Sequence, residues 1–293
     1  MQHHKKVLLT GASGFIGRNL KEYLKDYVVL SAPTSNELNL LDAKAVEEYL
    51  KQENFQIIIH SANMNNVRKS ITPYEALDGN LRMFFNLERC RNYYGKMYYF
   101  GSGAEYDMRH YIPDMKEDYF DTYIPADAYG FSKYVMSKAC SKNNNIFDLR
   151  LFGVYGKYEE WERRFISNAI CRALTGKNIT LQKNVYFDYL WVEDLCAIVH
   201  WFLENEPIHK HYNVCRGEKI DLYTLACMVR NILNIDCDII IRESGWKPEY
   251  TGSNNRLMSE IGTYQFTRLE ESVHTLCEFY KDNLDLIDES KLL

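Results

Sequence analysis

Tyr129-Gly130-Phe131-Ser132-Lys133 sets a phenol and an ammonium four residues apart, which on a helix is one face. The charge of Lys133 would stabilise a phenolate, so the pair can pass a proton to or from a substrate oxygen. The same spacing recurs at Tyr134 and Lys138. On a helix the two tyrosines point about 140° apart, so they cannot serve one site. Tyr129 follows the Pro125-Ala126-Asp127 turn and opens the helix, where a substrate has access. Tyr134 lies deeper, as a packing or solvated residue. Tyr129 is the expected acid.

A proton donor of this kind needs a second group to hold the substrate oxygen. Phe100-Gly101-Ser102-Gly103-Ala104-Glu105-Tyr106 leaves an apolar run, and Ser102 falls at its carboxyl end, where open α/β sheets place ligands. Taken alone, Ser102 is also a plain serine in a glycine turn.

Thr10-Gly11-Ala12-Ser13-Gly14-Phe15-Ile16-Gly17 follows the first apolar run and opens an amphipathic stretch. The glycines allow a tight turn, close approach of a pyrophosphate and tight helix–strand packing. N–H groups at the helix start would face the phosphates. The spacing is GxxGxxG rather than GxGxxG, and its position between strand and helix is what points to a dinucleotide. The cofactor contacts expected are Gly11, Ser13, Gly14, Phe15, Ile16 and Gly17. Leu30 to Asn36 holds no acid to read a ribose 2′-hydroxyl, which favours NADP, with NAD the alternative. Arg18, or the hydroxyls of Ser13, Thr34 and Ser35, would then take the 2′-phosphate. Asp42 is placed to meet the adenine amino group.

The elements that must position these groups alternate. Strands are expected at Val7–Thr10, Val28–Leu30, Ile57–Ile59, Tyr98–Phe100 and Phe147–Leu151. Helices are expected at Phe15–Lys25, Ala43–Glu53, Leu77–Tyr94 and Tyr129–Lys142. Short apolar strands separated by helices imply parallel pairing with both faces covered, a Rossmann-type doubly wound α/β sheet. After Gly156 the pattern becomes α-rich, with helices at Glu159–Leu174, Val192–Glu204, Ile220–Leu233 and Leu269–Asn283 and a strand at Asp238–Arg242. The expected division is a dinucleotide domain at 1–155, with a return segment near 185–215, and a smaller C-terminal substrate lobe at 156–184 and 216–293.

The chain has 293 residues, 46% hydrophobic and 26% charged, with a net charge of −5. That composition is globular and gives no electrostatic reason to expect nucleic acid or an anionic membrane surface. No apolar run reaches spanning length. The eight cysteines form no CxxC pair, so reduced thiols in a cytoplasmic protein are expected. His3 and His4 are too short a pair for a metal site, and none is expected.

Together these motifs resemble the extended short-chain dehydrogenase/reductases of the NAD-dependent epimerase/dehydratase family. The likeness runs over nearly the whole chain: TGASGFIG, ELNLLD, the Ile59-His60-Ser61-Ala62 strand end, Asn80, Ser102, Tyr129 with Lys133, RLFGVYG from Arg150 and DYLWVEDL from Asp188. Within that group the chain looks most like GDP-fucose synthase and neighbouring 4-ketosugar reductases. The resemblance implies a catalytic set of Ser102, Tyr129 and Lys133, with Asn80 ordering the lysine through water. It also implies cofactor contacts at Ala62, Tyr129 and Lys133, a nucleotide-diphosphate sugar as substrate, and a homodimer.

Departures from the family pattern narrow the chemistry. The Asp-Glu pair of the 4,6-dehydratases is Gly103-Ala104 here, and the epimerising cysteine of GDP-fucose synthase is Ala104. Elimination and 3,5-epimerisation are therefore not expected. Ketone reduction or 4-epimerisation remains, with Ser102 and Ala104 beside the sugar. The usual phosphate-binding arginine before the DY is Phe187. Arg163, Arg164 or Arg256 would take its place, each being equally readable as a solvated surface arginine. Trp161, Phe165, Tyr186 and Trp246 are pocket or core aromatics. A dinucleotide-binding sensor that has lost catalysis is the reading from another class.

Overall fold

The computed structural model describes residues 5–65 and 70–292; His3 and His4 lie outside them. The first half builds β1 (Lys6–Thr10), α1 (Phe15–Leu24), β2 (Val29–Ser31), α2 (Ala43–Glu53), β3 (Ile57–His60), α3 (Pro73–Glu88), β4 (Lys96–Ser102), α4 (Ala128–Lys142) and β5 (Ile146–Leu151). These five strands and a later one, β10 (His211–Val214), form one parallel sheet in the order β10-β5-β4-β3-β1-β2. Successive side chains of β1 go to opposite faces, as pleating requires. Val7 and Leu9 join Leu195, Val199 and Phe202 of α6 (Val192–Glu204), while Leu8 joins Val46 of α2, Phe84 of α3 and Met136 of α4. Both faces are dry, which is why the strands read as unbroken apolar runs.

Local chemistry sets where the helices start. Thr72 and Glu75 form a reciprocal capping box with Pro73 in the first turn, so α3 begins earlier than the expected Leu77. It ends at Glu88, and only a short 3₁₀ turn (Arg91–Tyr93) follows. Asp127 caps α4 by accepting from the Gly130 amide at 2.8 Å, which leaves Tyr129 in the first turn.

The remainder packs a second core. α5 (Phe165–Leu174), α7 (Leu222–Leu233) and α9 (Leu269–Asp282) bury Ile166, Ile170, Leu225, Val229, Val273 and Leu276 against one another. Three strand pairs lie around them. β6 (Val154–Tyr155) runs beside β9 (Leu190–Trp191) and β7 (Ile179–Leu181) beside β12 (Ile239–Ile241), both parallel. β8 (Tyr186–Asp188) is antiparallel to β11 (Lys219–Asp221). A short α8 (Asn255–Ile261) lies between β12 and α9.

The helix expected from Glu159 starts only at Phe165. Tyr158 has φ +74°, a left-handed turn, and Glu159 is buried rather than on a charged helix face. All eight cysteines are free thiols, seven of them buried. Among the described residues no helix is long and apolar enough to cross a membrane, and no His/Cys/Asp/Glu group is arranged to hold a metal.

Candidate active site

The sheet order reverses between β1 and β3, because β2 lies on one side of β1 and the rest of the sheet on the other. Loops leaving such a point frame a crevice at the carboxyl ends of the strands. Gly11 (φ +71°) backs directly onto the loop after β3: a Cβ there would lie 2.6 Å from the Ala62 amide nitrogen. A Cβ on Gly17 would meet the Gly11 carbonyl oxygen at 2.1 Å. Both positions therefore require glycine, and together they press α1 against the turn. No side chain caps α1, so its first-turn amides, from Phe15, Ile16 and Gly17, have no side-chain acceptor. A cradle without room for a Cβ above an uncapped helix end suits a dinucleotide pyrophosphate.

The next two strand ends carry the reacting groups. Ser102 closes β4, and its Oγ accepts from the Ala104 amide at 3.2 Å. The first turn of α4 rides on this loop, because a Cβ on Gly130 would lie 2.7 Å from the Ala104 carbonyl oxygen. Lys133 is buried and donates from Nζ to the Phe100 carbonyl at 2.8 Å; its ammonium lies 5.8 Å from the centre of the Tyr129 ring. His60 at the end of β3 is pushed down to about 3 by burial and by the charge of Lys133, so it stays neutral. Its ring Nδ1 pairs with Thr10 Oγ1 at 2.9 Å. The His60 ring therefore places no second cation beside Lys133.

The two tyrosine–lysine pairs have different fates. Tyr129 is 47% exposed, whereas Tyr134 is 9% exposed. Tyr134 donates to one oxygen of Asp121, and Lys138 donates to the other at 2.6 Å.

Other expected contacts are placed differently. Asn80 holds the backbone of Met64 on both sides, accepting from its amide at 2.6 Å and donating to its carbonyl at 3.0 Å. That engagement fixes the loop after β3. Asp42 is the N-cap of α2, accepting from the Lys44 and Ala45 amides through one oxygen. Arg18, expected near the adenosine ribose, instead stacks its guanidinium 3.6 Å from the centre of the Tyr158 ring and lies 3.6 Å from Glu22. It borders a cavity of about 220 Å³ with Ser13, Trp161 and Glu159.

Of the arginines expected at the diphosphate, Arg256 is committed elsewhere. It donates to Asp118 at 2.6 Å and to the His211 carbonyl at 3.3 Å, pinning the 117–119 turn to β10. Arg163 is exposed beside Glu160, and Arg164 is an exposed residue at the start of α5. Phe187 packs against Tyr189 and Tyr250. Tyr186 and Trp246 stack at 4.8 Å with 13° between their planes, whereas Phe165 packs on the second core.

Tyr250 is the residue that sequence reasoning missed. Its hydroxyl lies close enough to Ser102 to feel its side chain, and burial holds its acidity well below that of free phenol. A Cβ on Gly103 would come within 2.5 Å of that hydroxyl. A neutral phenol from the second lobe therefore occupies the space beside Ser102. Nothing in the stretch Glu249-Tyr250-Thr251 signals this, because the contact is made only when β8 and the 245–252 loop pair.

The profile of the NAD dependent epimerase/dehydratase family matches residues 7–215. GDP-L-colitose synthase of Yersinia pseudotuberculosis is 25% identical, over 94% of this chain and 97% of that protein. The GDP-mannoheptose C4 reductase of Campylobacter jejuni, solved with NADP bound, superposes with a TM-score of 0.81 at 20% identity, covering 96% of this chain and 99% of that one. A GDP-L-fucose synthetase of Naegleria fowleri bound to NADP gives 0.84 at 15% identity, covering 97% and 95%.

Proposed function

The chain belongs to the NAD dependent epimerase/dehydratase family, and from that premise we propose that it reduces a nucleotide-linked 4-keto-6-deoxy sugar to the 4-hydroxy sugar using NADPH. The observation that carries the reading is the convergence of Ser102, Tyr129 and Lys133 where β4 meets the first turn of α4. The relatives named above, whose names specify GDP-sugar synthases and a C4 reductase, support the substrate class.

Gly11, Ser13, Gly14, Phe15, Ile16 and Gly17 would hold the dinucleotide, with Ala62 lining its path. When bound, the nicotinamide supplies the hydride. Tyr129 gives the proton to the sugar oxygen at C4, and Lys133 stabilises the phenolate left behind. Ser102 donates to the same oxygen and fixes its direction. Its Oγ already accepts from the Ala104 amide and has the Tyr250 hydroxyl beside it, so its own O–H is the valence left for substrate. Gly103 and Ala104 bring no acid or base for elimination. NADPH fits the end of β2: residues 31–36 carry no carboxylate, and Glu37 is folded back to accept from Thr34 at 2.7 and 2.9 Å. Residues 1–155 with the 185–215 return would carry the dinucleotide. Residues 156–184 and 216–293, with Arg163 and Arg164, would carry the sugar nucleotide, in a homodimeric cytoplasmic enzyme.

The test is incubation with NADPH and a panel of nucleotide 4-ketosugars, following NADPH oxidation and identifying the product. Stoichiometric NADPH consumption with one ketosugar is expected. Tightly retained NAD and interconversion of 4-hydroxy sugars without net cofactor use would overturn it in favour of a 4-epimerase. Dinucleotide binding with no turnover of any sugar, unchanged in Tyr129→Phe, would leave a sensor.

A further inference from the structure

Beneath the reacting face lies an ionic cluster that the reaction above does not use. Arg150, next to the last residue of β5, is fully buried, as are Glu105 and Asp148. Its Nε donates to Glu105 Oε2 at 2.8 Å and to Asp148 Oδ2 at 2.9 Å. The two terminal nitrogens donate to the Tyr106 hydroxyl at 2.8 Å and to Ser137 Oγ at 3.0 Å. Ser137 in turn donates to Asp148 at 2.6 Å.

One arm of this cluster leaves it. Glu105 Oε1 accepts from the Ser102 amide at 2.9 Å, while Ser102 Oγ accepts from the turn that follows. This is a capping box on the short turn Gly103–Tyr106. An acid in such a box normally stands in water and moves. Here its second oxygen is held by a guanidinium that is itself locked on every side. Gly101 makes the arrangement possible: a Cβ there would lie 2.1 Å from Asp148 Oδ1 and 2.3 Å from Glu105 Oε1. Two fully buried carboxyl groups meet over that glycine with one guanidinium between them, an arrangement that disfavours ionising both. Burial and the charge of Asp148 hold Glu105 well above the usual carboxylate range. Arg150 overrides burial at Asp148 and holds it at about 2. Asp148 Oδ1 has no hydrogen-bond partner among the described protein atoms.

We propose that Glu105 is a positioning residue for the reduction: its carboxyl bridges Arg150 to the Ser102 amide and fixes the Ser102 hydroxyl at the end of β4. The proposal rests on the reading of Ser102 as the group that directs the sugar carbonyl. Displacing such a group by about 1 Å costs on the order of 100-fold in rate.

The experiment measures kcat and NADPH affinity for the full chain and for S102A, E105A, E105Q and the S102A/E105A double variant. E105A is expected to lose roughly 30- to 100-fold in kcat with NADPH affinity unchanged. E105Q keeps the size and the acceptor for the Ser102 amide but turns an amide N–H toward the Arg150 donor, so its kcat should fall between those of wild type and E105A. The double variant should be no slower than S102A, because Glu105 acts only through the serine. Wild-type kcat in E105A alongside a crippled S102A overturns the proposal alone, as do penalties that multiply in the double variant. Wild-type kcat in S102A overturns the reading of Ser102 itself. Should E105A fail to fold, E105M keeps the volume and the Asp148–Arg150 pair, and the same cycle is read with it.

Discussion

Tyr129 and Tyr134 share a helix and a YxxxK spacing, and only their surroundings separate them. Tyr134 donates its hydroxyl proton to Asp121, which Lys138 also engages, so Tyr134 has no proton to offer a ligand. Tyr129→Phe is expected to lower kcat by about 10²- to 10⁴-fold, the usual worth of a general acid. NADPH binding followed by fluorescence should not change, and Tyr134→Phe should remain within a few-fold of wild type. Equal losses in the two variants would refute the assignment. Glu159 offers a test of a different kind. Its side chain is buried and accepts from Ser167, and burial pushes it up to about 8. An acid raised on folding favours the protonated form, so wild-type stability should fall as pH rises from about 4.5 toward 8 and then level off. Glu159→Gln has no such proton to lose. Its unfolding free energy should match wild type near pH 4.5 and exceed it at pH 8, by an amount on the order of a few kcal/mol, read as a higher melting temperature at pH 8. Parallel melting curves across that range would contradict the buried acid.

At the scale of elements, the glycine turn and the helix caps carry the argument. Gly17 abuts the Gly11 carbonyl too closely for any Cβ, so Gly17→Ala must push α1 off the turn. More than tenfold weaker NADPH binding and a lower melting temperature are expected; unchanged affinity by titration would show that the cradle does not depend on this contact. Asp42 shows how one residue invites two readings. As a residue near a ribose it points to adenine, but it also precedes Ala43, where α2 begins, and its side chain serves that helix end. Asp42→Ala should cost about 1 kcal/mol of stability, the loss of a cap, with NADPH affinity held. A loss of affinity without a loss of stability would restore the adenine contact. The helix expected from Glu159 failed for a related reason. Trp161 and Phe165 are four apart, as on a helix, yet Tyr158 turns left-handed and the chain enters α5 only at Phe165.

For the whole molecule, the return of the chain to the sheet matters most. β10 pairs with β5 in register from His211↔Asp148 to Val214↔Leu151, and Asn213 accepts from the Tyr106 hydroxyl at 2.6 Å. The returning segment is thereby tied to the loop that carries Ser102. Ligand that binds only the folded chain should stabilise all of it together, by about 2.7 kcal/mol at a concentration 100 times Kd. NADPH should therefore raise a single melting transition, and raise it more than NADH at equal concentration. A larger shift with NADH would reverse the cofactor preference read from the end of β2.

The amino-acid sequence by itself determined the alternating α/β core, the glycine turn, Ser102 and the Tyr129–Lys133 pair. Each of these rests on local chemistry: apolar strands buried on both faces, a turn without room for a Cβ, and a helical four-residue spacing. Only the tertiary structure decided what surrounds them. Tyr250 comes beside Ser102 across 148 positions, Arg256 is drawn to Asp118, and Arg150 gathers Glu105 and Asp148 over Gly101. Strands of two or three residues such as β6, β8 and β9 show no periodicity of their own, and they form only because a distant partner offers them hydrogen bonds. Contacts of that kind have no local signature, since their free energy arises from burial that exists only once the chain has closed.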